Sequence, residues 1–143
     1  MKSFAGKIAV VTGGGTGMGR ELVVQLAAAG AHVSMRDLSG ERMQETATLA
    51  RAAAPASDIR ISTHVCDVSD EAAMLVFRDA VLADHDTEHI NLLFNNAGLS
   101  GGGSLVTDTR ESWDRCFDIC FNGVRWGVLA FLDALIASDE GHI

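Results

Sequence analysis

The sequence is poor in basic residues, cysteine and proline, and it contains no tyrosine. Eleven Lys and Arg against 19 Asp and Glu give a net charge of −8. This balance argues against nucleic-acid or membrane-surface partners, because such surfaces are bound through clustered cations. Three cysteines without a CxxC pair or a secretion signal indicate free thiols and a cytoplasmic protein. No apolar stretch reaches the roughly 18 residues of a membrane span.

The remaining composition is that of a globular domain. With 143 residues, 48% of them hydrophobic and 21% charged, the chain is one domain at most. Two pairs of possible metal ligands are spaced at about one helical turn, Cys116 with Cys120 and His85 with His89. Neither pair has a further ligand at the usual spacing, so we predict no metal site.

A glycine-rich turn separates the first predicted strand, at residues 7–11, from a helix at 18–29. Its sequence is Thr12-Gly13-Gly14-Gly15-Thr16-Gly17-Met18-Gly19. Glycines permit positive φ, leave room for a pyrophosphate and direct free N–H groups towards an anion. Glycine clusters also occur in plain turns. Here a second strand ends at Asp37, about twenty residues further on, where an acid can hold ribose hydroxyls, so we predict a dinucleotide site.

The rest of the chain continues the alternation of strands and helices. We predict a helix at 40–54 with Ser39 as its N-cap, an edge strand at 59–66, a helix that Ser69 caps and that ends around 84–88, and a strand at 90–94. The second of these helices is expected to bury Ala73, Val76, Phe77 and Ala80. Residues 141–143 predict the opening of a fifth strand. The pattern indicates an α/β fold with a doubly wound parallel sheet of the Rossmann type, truncated at the start of strand five.

Residues 110–138 predict one long helix, with a break near its start. Its apolar side chains cover more than one face, and they are Trp113, Phe117, Phe121, Val124, Val128, Phe131, Leu132 and Leu135. A helix that is apolar on two sides is expected to be buried on both. The second face has two interpretations that the pattern does not separate, a subunit interface in a homo-oligomer or a covering loop of the same chain.

Three motifs in order resemble those of the short-chain dehydrogenase/reductase family. Thr12-Gly13-xxx-Gly17-x-Gly19 resembles its TGxxxGxG cofactor turn, Asp67-Val68 its acid after strand three, and Asn95-Asn96-Ala97-Gly98 its NNAG motif after strand four. The resemblance extends over all 143 residues. It implies that these residues are the N-terminal, cofactor-binding portion of a single Rossmann-fold domain.

The resemblance also implies roles for individual residues. Gly13, Gly17 and Gly19 would line the pyrophosphate, Asp67 and Val68 would lie by the adenine, and Asn95 and Gly98 would shape the floor of the cofactor site, with Gly15, Thr16, Met18 and Ala97 as further cofactor contacts. Asp37 favours NAD, because a carboxylate repels the 2′-phosphate of NADP and accepts hydrogen bonds from a free ribose diol. Arg36 acts in the opposite direction if it pairs with that phosphate, and is otherwise solvated.

The chain departs from the family pattern in its catalytic groups. The family uses a Ser, a Tyr with a neighbouring Lys, and an Asn in the long helix. This sequence has no Tyr, so the Ser, Tyr and Lys are expected beyond residue 143. Cys120 stands at the family's Asn position, and a thiol cannot replace an amide carbonyl. Asn122 would lie about 200° away around an α-helix, so it is not expected to substitute for that Asn.

Two functional hypotheses follow. The first is an NAD(H)-dependent oxidoreductase that interconverts a hydroxyl and a carbonyl group of a small alcohol or ketone by hydride transfer. The alternative is a non-catalytic dinucleotide-binding or regulatory module that ends at residue 143. A kinase or ligase is disfavoured, because the sequence has no GxxxxGK[ST] loop.

Overall fold

The computed structural model describes residues 1–101 and 103–143. Gly102, in the glycine run after the fourth strand, lies outside the described residues. The strands are β1 (Ile8–Thr12), β2 (His32–Asp37), β3 (Ile61–Val65) and β4 (Leu92–Phe94). The helices are α1 (Gly17–Ala28), α2 (Gly40–Ala53), α3 (Glu71–His85), α4 (Arg110–Phe117) and α5 (Gly123–Ile136), with a π-helical turn at Asp118–Asn122 between the last two. Each predicted strand and helix is present, with ends that differ by up to two residues.

The strands form one parallel sheet in the order β3-β2-β1-β4. The chain moves outward from β1 to β3 and then returns through α3 to place β4 on the other side of β1. The strand order therefore reverses between β1 and β4, and ligands of such sheets bind at the carboxyl ends of the strands near this point. The predicted Rossmann-type parallel sheet is confirmed, and β3 lies at its edge as the alternation of polar and apolar residues indicated.

Each face of the sheet is covered by a pair of helices. We call them the α1/α2 face and the α3/α5 face. The α1/α2 face buries Ala9, Val11, Val33 and Met35 against side chains that include Val23, Leu26, Met43 and Ala47. The α3/α5 face buries Ile8, Val10 and Leu93 against side chains that include Phe77, Val81, Phe131 and Leu135. Alternate residues of β1 and β2 point to opposite faces, as the period of two of a strand requires.

The N-cap of α2 is the predicted residue, whereas the predicted cap of α3 is wrong. The Ser39 hydroxyl accepts a hydrogen bond from the N–H of Arg42 at 3.3 Å. In α3 the cap is Asp70, whose carboxylate accepts from the N–H of Ala73 at 3.0 Å. The hydroxyl of Ser69 instead donates to Asp67 at 2.7 Å, and a carboxylate interacts more favourably than a hydroxyl with the positive end of the helix dipole.

The buried stripe of α3 is also different from the predicted one. Phe77 is buried as expected, but Val76 is 69% exposed, and Ala73 and Ala80 are only half-buried. The residues that face the sheet are Met74, Phe77, Val81 and His85. Polar contacts on the sheet side favour this rotation of the helix, because Met74 meets the guanidinium of Arg36 and His85 bonds to Ser34.

The long helix runs from Arg110 to Ile136, and the predicted break is the π-helical turn. One side of α5 packs on the sheet, but Phe117, Phe121, Val124, Leu129, Leu132 and Ile136 are exposed. By length and composition this helix is long and apolar enough to cross a membrane, a test that core helices of soluble proteins also pass. The expectation of no membrane partner therefore stays a prediction.

The predicted start of a fifth strand is visible beside β4. The N–H of His142 donates to Asn91 O at 2.9 Å, and the N–H of Leu93 donates to His142 O at 3.0 Å. These bonds place His142 parallel to Leu92, on the side of β4 away from β1.

Candidate cofactor site

The glycine turn lies at the carboxyl end of β1, and Gly13 and Gly17 have φ of +70° and +55°. The N–H groups of Gly13 and Gly14 donate to Arg36 O at 2.8 and 3.1 Å, which ties the turn to the end of β2. A Cβ on Gly13 would lie 2.9 Å from the Cα of Ala97, closer than real Cβ contacts. Gly13 is therefore required both by its backbone conformation and by its neighbour.

The start of α1 differs from the starts of α2, α3 and α4. Thr16 is the N-cap of α1, but its side chain makes no capping hydrogen bond, and the first turn of α1 contains no acid. The other three helices are capped by Ser39, Asp70 and Thr109, and each has a Glu in its first turn. The first N–H groups of α1 thus have no capping side chain and face no carboxylate of its first turn, an arrangement that suits an anionic ligand.

Asp37 connects the glycine turn to the end of β2. One carboxylate oxygen accepts a hydrogen bond from the N–H of Gly15 at 3.0 Å, and the other accepts from the N–H of Ser39 at 3.2 Å. Arg20 supports the turn from the other side, because its guanidinium donates to Gly15 O at 2.7 Å and pairs with Glu45 at 2.8 Å. Asp37 is thus held rigidly at the position predicted to contact a ribose.

Asp67 and Val68 follow β3. Asp67 Oδ1 accepts hydrogen bonds from the N–H of Ser69 at 3.0 Å and from its hydroxyl at 2.7 Å. These two bonds, with the positive charges of Arg36 and Arg115, hold the pKa of Asp67 below its ordinary value. Val68 is buried against Gly123 of α5, where a Cβ would lie 2.9 Å from the Val68 side chain. The carboxylate of Asp67 is therefore ionised and fixed in orientation.

The segment after β4 is bound to the glycine turn. The amide of Asn96 donates to Thr12 O at 3.0 Å and to Gly13 O at 3.3 Å, and the N–H of Ala97 donates to the Thr12 hydroxyl at 2.9 Å. Asn95 points away from these groups and lies against Gly127, where any Cβ would collide with its amide. Its buried amide atoms have no hydrogen-bond partner among the described residues.

Together these segments enclose a cavity of about 360 Å³ at the carboxyl ends of the strands. Nine of the predicted cofactor residues line it, namely Gly13, Thr16, Met18, Gly19, Asp37, Asp67, Val68, Ala97 and Gly98. Gly15 and Asn95 lie behind the lining, and Gly17 is exposed where α1 begins. Their predicted contacts with a cofactor remain predictions. In the ranges 1–101 and 103–143, no cluster of three or more acidic, His or Cys side chains has a metal-binding arrangement.

Cys120 lies in the π-helical turn, at the edge of the site. Its thiol meets Leu99 O at 3.6 Å, directly after the NNAG segment. The amide of Asn122 donates to Asp118 at 3.0 Å, so it is bound to its own helix and does not line the cavity. The predicted 200° between Cys120 and Asn122 assumed an α-helix, whereas residues 118–122 have the wider i→i+5 pattern. The inference that Asn122 does not replace the family's Asn agrees with its bond to Asp118.

The cavity also contains residues that the sequence interpretation did not assign to it. They are Arg36, Leu38, Asn96, Leu99, Arg115 and Ile119. Arg36 is not solvated, because it is only 2% exposed, and its guanidinium contacts Met74 on the α3/α5 face, whereas the carboxylate of Asp37 bonds to the glycine turn. The alternation of side chains along β2 could have indicated that Arg36 and Asp37 point to opposite faces of the sheet. The i, i+4 spacing of Arg115 and Ile119 could have placed both residues on one side of the helix.

Comparison with known proteins agrees with this architecture. Residues 7–143 match the family model described as short chain dehydrogenase. Human epidermal retinol dehydrogenase 2 is 34% identical over 142 residues, which are 99% of this chain and 44% of that protein. The chain thus spans about half the length of the curated relatives it matches.

Solved structures give the same result. A short-chain dehydrogenase/reductase from Burkholderia phymatum in complex with NAD is 33% identical, with a TM-score of 0.88 over 100% of this chain and 49% of that one. A metagenomic short-chain oxidoreductase in complex with NADP is 31% identical, with a TM-score of 0.87 over 99% of this chain and 62% of that one. The chain belongs to the short-chain dehydrogenase family.

Proposed function

We propose that this chain supplies the NAD(H)-binding portion of an oxidoreductase that interconverts a hydroxyl and a carbonyl group by hydride transfer. The observation that carries the proposal is the cavity at the carboxyl ends of the strands, between the uncapped start of α1, Asp37, Asp67 and the NNAG segment. The position of Gly13 against Ala97 fits such a ligand, because a side chain there would fill the cradle that a pyrophosphate needs.

Each end of the cavity has a chemical role. Gly13, Gly19 and the first N–H groups of α1 bind the pyrophosphate, while Asp37 binds the ribose of the adenosine half. Asp67 and Val68 hold the adenine, and Ala97 and Gly98 form the floor towards the nicotinamide. A bound nicotinamide dinucleotide supplies the hydride donor or acceptor for the reaction.

NAD is the proposed cofactor, with NADP the less favoured one. Asp37 presents a carboxylate at the predicted ribose site, which repels a 2′-phosphate. The guanidinium of Arg36 is buried on the other face of the sheet, so it cannot offset this repulsion by binding the phosphate. Structural neighbours were solved with NAD and with NADP, so the preference depends on Asp37 alone.

The proton-transfer groups of the reaction are proposed to lie outside these residues. The sequence has no Tyr, and Cys120 offers a thiol where the family has an amide. The catalytic Ser, Tyr and Lys are therefore expected beyond residue 143, and we assign no catalytic role to Cys120.

The substrate proposed is a small alcohol or ketone, and the protein is proposed to be cytoplasmic, without nucleic-acid or membrane partners. We also propose a homo-oligomer through the helix at 110–138. The exposed apolar residues of that helix support it, among them Phe121, which is 65% exposed. Light scattering of the protein and of its Phe121→Ser variant tests this, and a monomer in both cases would contradict it.

A two-stage assay tests the function. NADH is titrated into the purified protein, and the protein is then given NAD or NADH with a series of small alcohols and ketones while nicotinamide absorbance is followed. Binding of NADH is expected already for residues 1–143, whereas turnover is expected only of a protein that also carries the proposed Ser, Tyr and Lys. Binding without turnover of any compound by that protein would favour the non-catalytic nucleotide-binding module, and the absence of binding would contradict both hypotheses.

A further inference from the structure

Arg36 is a buried cation whose guanidinium forms no direct ion pair with a carboxylate in the described part of the chain. Its residue is 2% exposed, Nη1 contacts Met74 Sδ at 3.3 Å, and Nε has no hydrogen-bond partner among the described residues. Burial lowers the pKa of the guanidinium, because the charged form loses its hydration. Asp67 and Asp37 stabilise the charge only through space, so the buried guanidinium still lacks a direct hydrogen bond to an oxygen or nitrogen acceptor among the described residues.

Arg36 lines the same cavity as Leu38, Asp67 and Val68. It follows Ser34 on the α3/α5 side of β2, while Met35 belongs to the α1/α2 face and Asp37 bonds to the glycine turn. Arg36 and Asp37 therefore reach the cavity from different faces of the sheet. Asp37 lies beside the glycine turn, and Arg36 lies with the residues predicted to hold the adenine.

Asp67 supplies an acceptor to complement this donor. Both hydrogen bonds from Ser69 go to Oδ1, and within residues 1–101 and 103–143 Oδ2 accepts no hydrogen bond from the protein. The cavity thus offers a carboxylate acceptor and a guanidinium donor. A ligand edge that has a donor beside an acceptor matches this pair, and adenine has such an edge in its 6-amino group and N7. A 6-oxo purine presents two acceptors there and would leave Asp67 facing an oxygen.

We propose that Arg36 is a nucleobase-contacting residue whose guanidinium donates to N7 of the adenine, while Asp67, which the family resemblance already places by the adenine, accepts from the 6-amino group. This assignment rests on the proposed dinucleotide function and deepens it. The pair selects adenine over 6-oxo purines, and N7 gives the guanidinium a nitrogen acceptor in addition to its contact with Met74 Sδ.

The test uses ADP, which carries the adenosine half alone, with 7-deaza-ADP, which lacks the N7 acceptor, and inosine diphosphate, which has a 6-oxo group. Affinities are measured by calorimetry for the unaltered protein and for Arg36→Met. The unaltered protein is expected to bind 7-deaza-ADP and inosine diphosphate at least about tenfold more weakly than ADP, since a charged hydrogen bond is lost. Arg36→Met is expected to bind ADP about tenfold more weakly and to bind ADP and 7-deaza-ADP equally.

Arg78→Met is the matched control, because Arg78 pairs with Asp79 away from the cavity. It should keep all three affinities. The comparison of ADP with 7-deaza-ADP in the unaltered protein needs no variant, so it remains decisive if Arg36→Met does not fold. Equal affinities in that protein would overturn the role of Arg36, as would an unchanged ratio in Arg36→Met. Failure of the unaltered protein to bind ADP would overturn the dinucleotide function as well.

Discussion

The two faces of the sheet differ in what they bury. The α1/α2 face is apolar apart from Thr46, whose hydroxyl bonds to Gly15 O and Arg42 O. The α3/α5 face buries Arg36 and His85, and the buried side-chain atoms without a hydrogen-bond partner in the described residues belong to these two and to Asn95. The buried Thr46 of the α1/α2 face is thus hydrogen-bonded within the protein. Several buried polar atoms of the α3/α5 face have no partner among the described residues.

This difference indicates where the fold serves stability and where it serves ligands. A polar atom that is buried without a hydrogen-bond partner loses its hydration, which destabilises the folded chain. Such an atom is tolerated where a ligand supplies the missing hydrogen bond. Arg36 lines the cavity, and Asn95 lies directly before the segment that does. His85 is remote from the cavity, within a network that joins it to Ser34 at 2.8 Å and joins Ser34 to Ser62 at 2.7 Å.

The largest expected effect concerns the pH dependence of stability on the α3/α5 face. Burial, with electrostatic contributions from nearby His32 and Arg60, lowers the pKa of His85 from its ordinary value of 6.5 to about 4. The unfolded chain therefore takes up a proton before the folded one, and stability is lost as the pH falls from about 6.5 to about 4. The difference corresponds to up to about 3 kcal/mol. Urea unfolding at a series of pH values measures it.

His85→Gln should flatten this part of the pH profile, because an amide does not titrate there. His89→Gln is the control, since His89 is half-buried and bonds only locally to Thr87. A profile of the same slope in His85→Gln and in the unaltered protein would show that His85 does not carry the effect.

A matched pair of glycines isolates the contribution of the cofactor turn. Gly6 and Gly13 have φ of +72° and +70°, so an alanine at either position introduces the same backbone strain of about 1–2 kcal/mol. A Cβ on Gly6 has nothing within 4 Å, whereas one on Gly13 meets Ala97 beside the cavity. We expect Gly13→Ala to weaken NADH binding about 100-fold, roughly 2.7 kcal/mol, and Gly6→Ala to leave it unchanged. Equal losses in the two variants, measured by calorimetry, would attribute the effect to strain alone.

A smaller effect is expected for cofactor preference. Asp37→Ala should lower the ratio of NAD to NADP affinity roughly tenfold, because it removes the repulsion of the 2′-phosphate. Asp37 also bonds to the N–H groups of Gly15 and Ser39, so Asp37→Asn, which keeps an acceptor oxygen, separates charge from structure. Fluorescence titration with both reduced cofactors measures the ratio. No change in either variant would refute the role of Asp37.

The smallest effect compares the starts of two helices. Asp70→Ala removes the cap of α3 and should cost about 1 kcal/mol of unfolding free energy. Thr16→Ala at the start of α1 removes no capping bond and should cost less than about 0.5 kcal/mol. Denaturant unfolding gives both values. A loss for Thr16→Ala as large as that for Asp70→Ala would show that the start of α1 is capped by its own side chain.

Much of this fold was predictable because local signals agreed with the global topology. Apolar runs, glycine breaks and caps such as Ser39 placed the strands and helices, and the NNAG segment after β4 placed one wall of the cavity. The errors arose where tertiary contacts decide between similar local choices. Ser69 and Asp70 both have side chains that can cap a helix. The Ser69 hydroxyl donates to Asp67, so Asp70 is the residue that caps α3.

Site residues that belong to a sequence motif were predictable. Residues that reach the site through tertiary packing were less so. Gly13, Asp37 and Asp67 follow from the positions of strand ends. The burial of Arg36 depends on Met74 and on the rotation of α3, and the π-helical turn at Cys120 has no signal in the helical periodicity of 110–138. The buried polar atoms without a hydrogen-bond partner on the α3/α5 face therefore depend on tertiary packing, which local sequence patterns do not show.

The most direct test of this account is a crystal structure of the protein grown with NADH. We predict difference density for one dinucleotide in the cavity, with its pyrophosphate at the first N–H groups of α1, its adenosine ribose on Asp37, and its adenine between Asp67 and Arg36. A dinucleotide bound elsewhere on the protein, or an empty cavity at saturating NADH, would contradict the account.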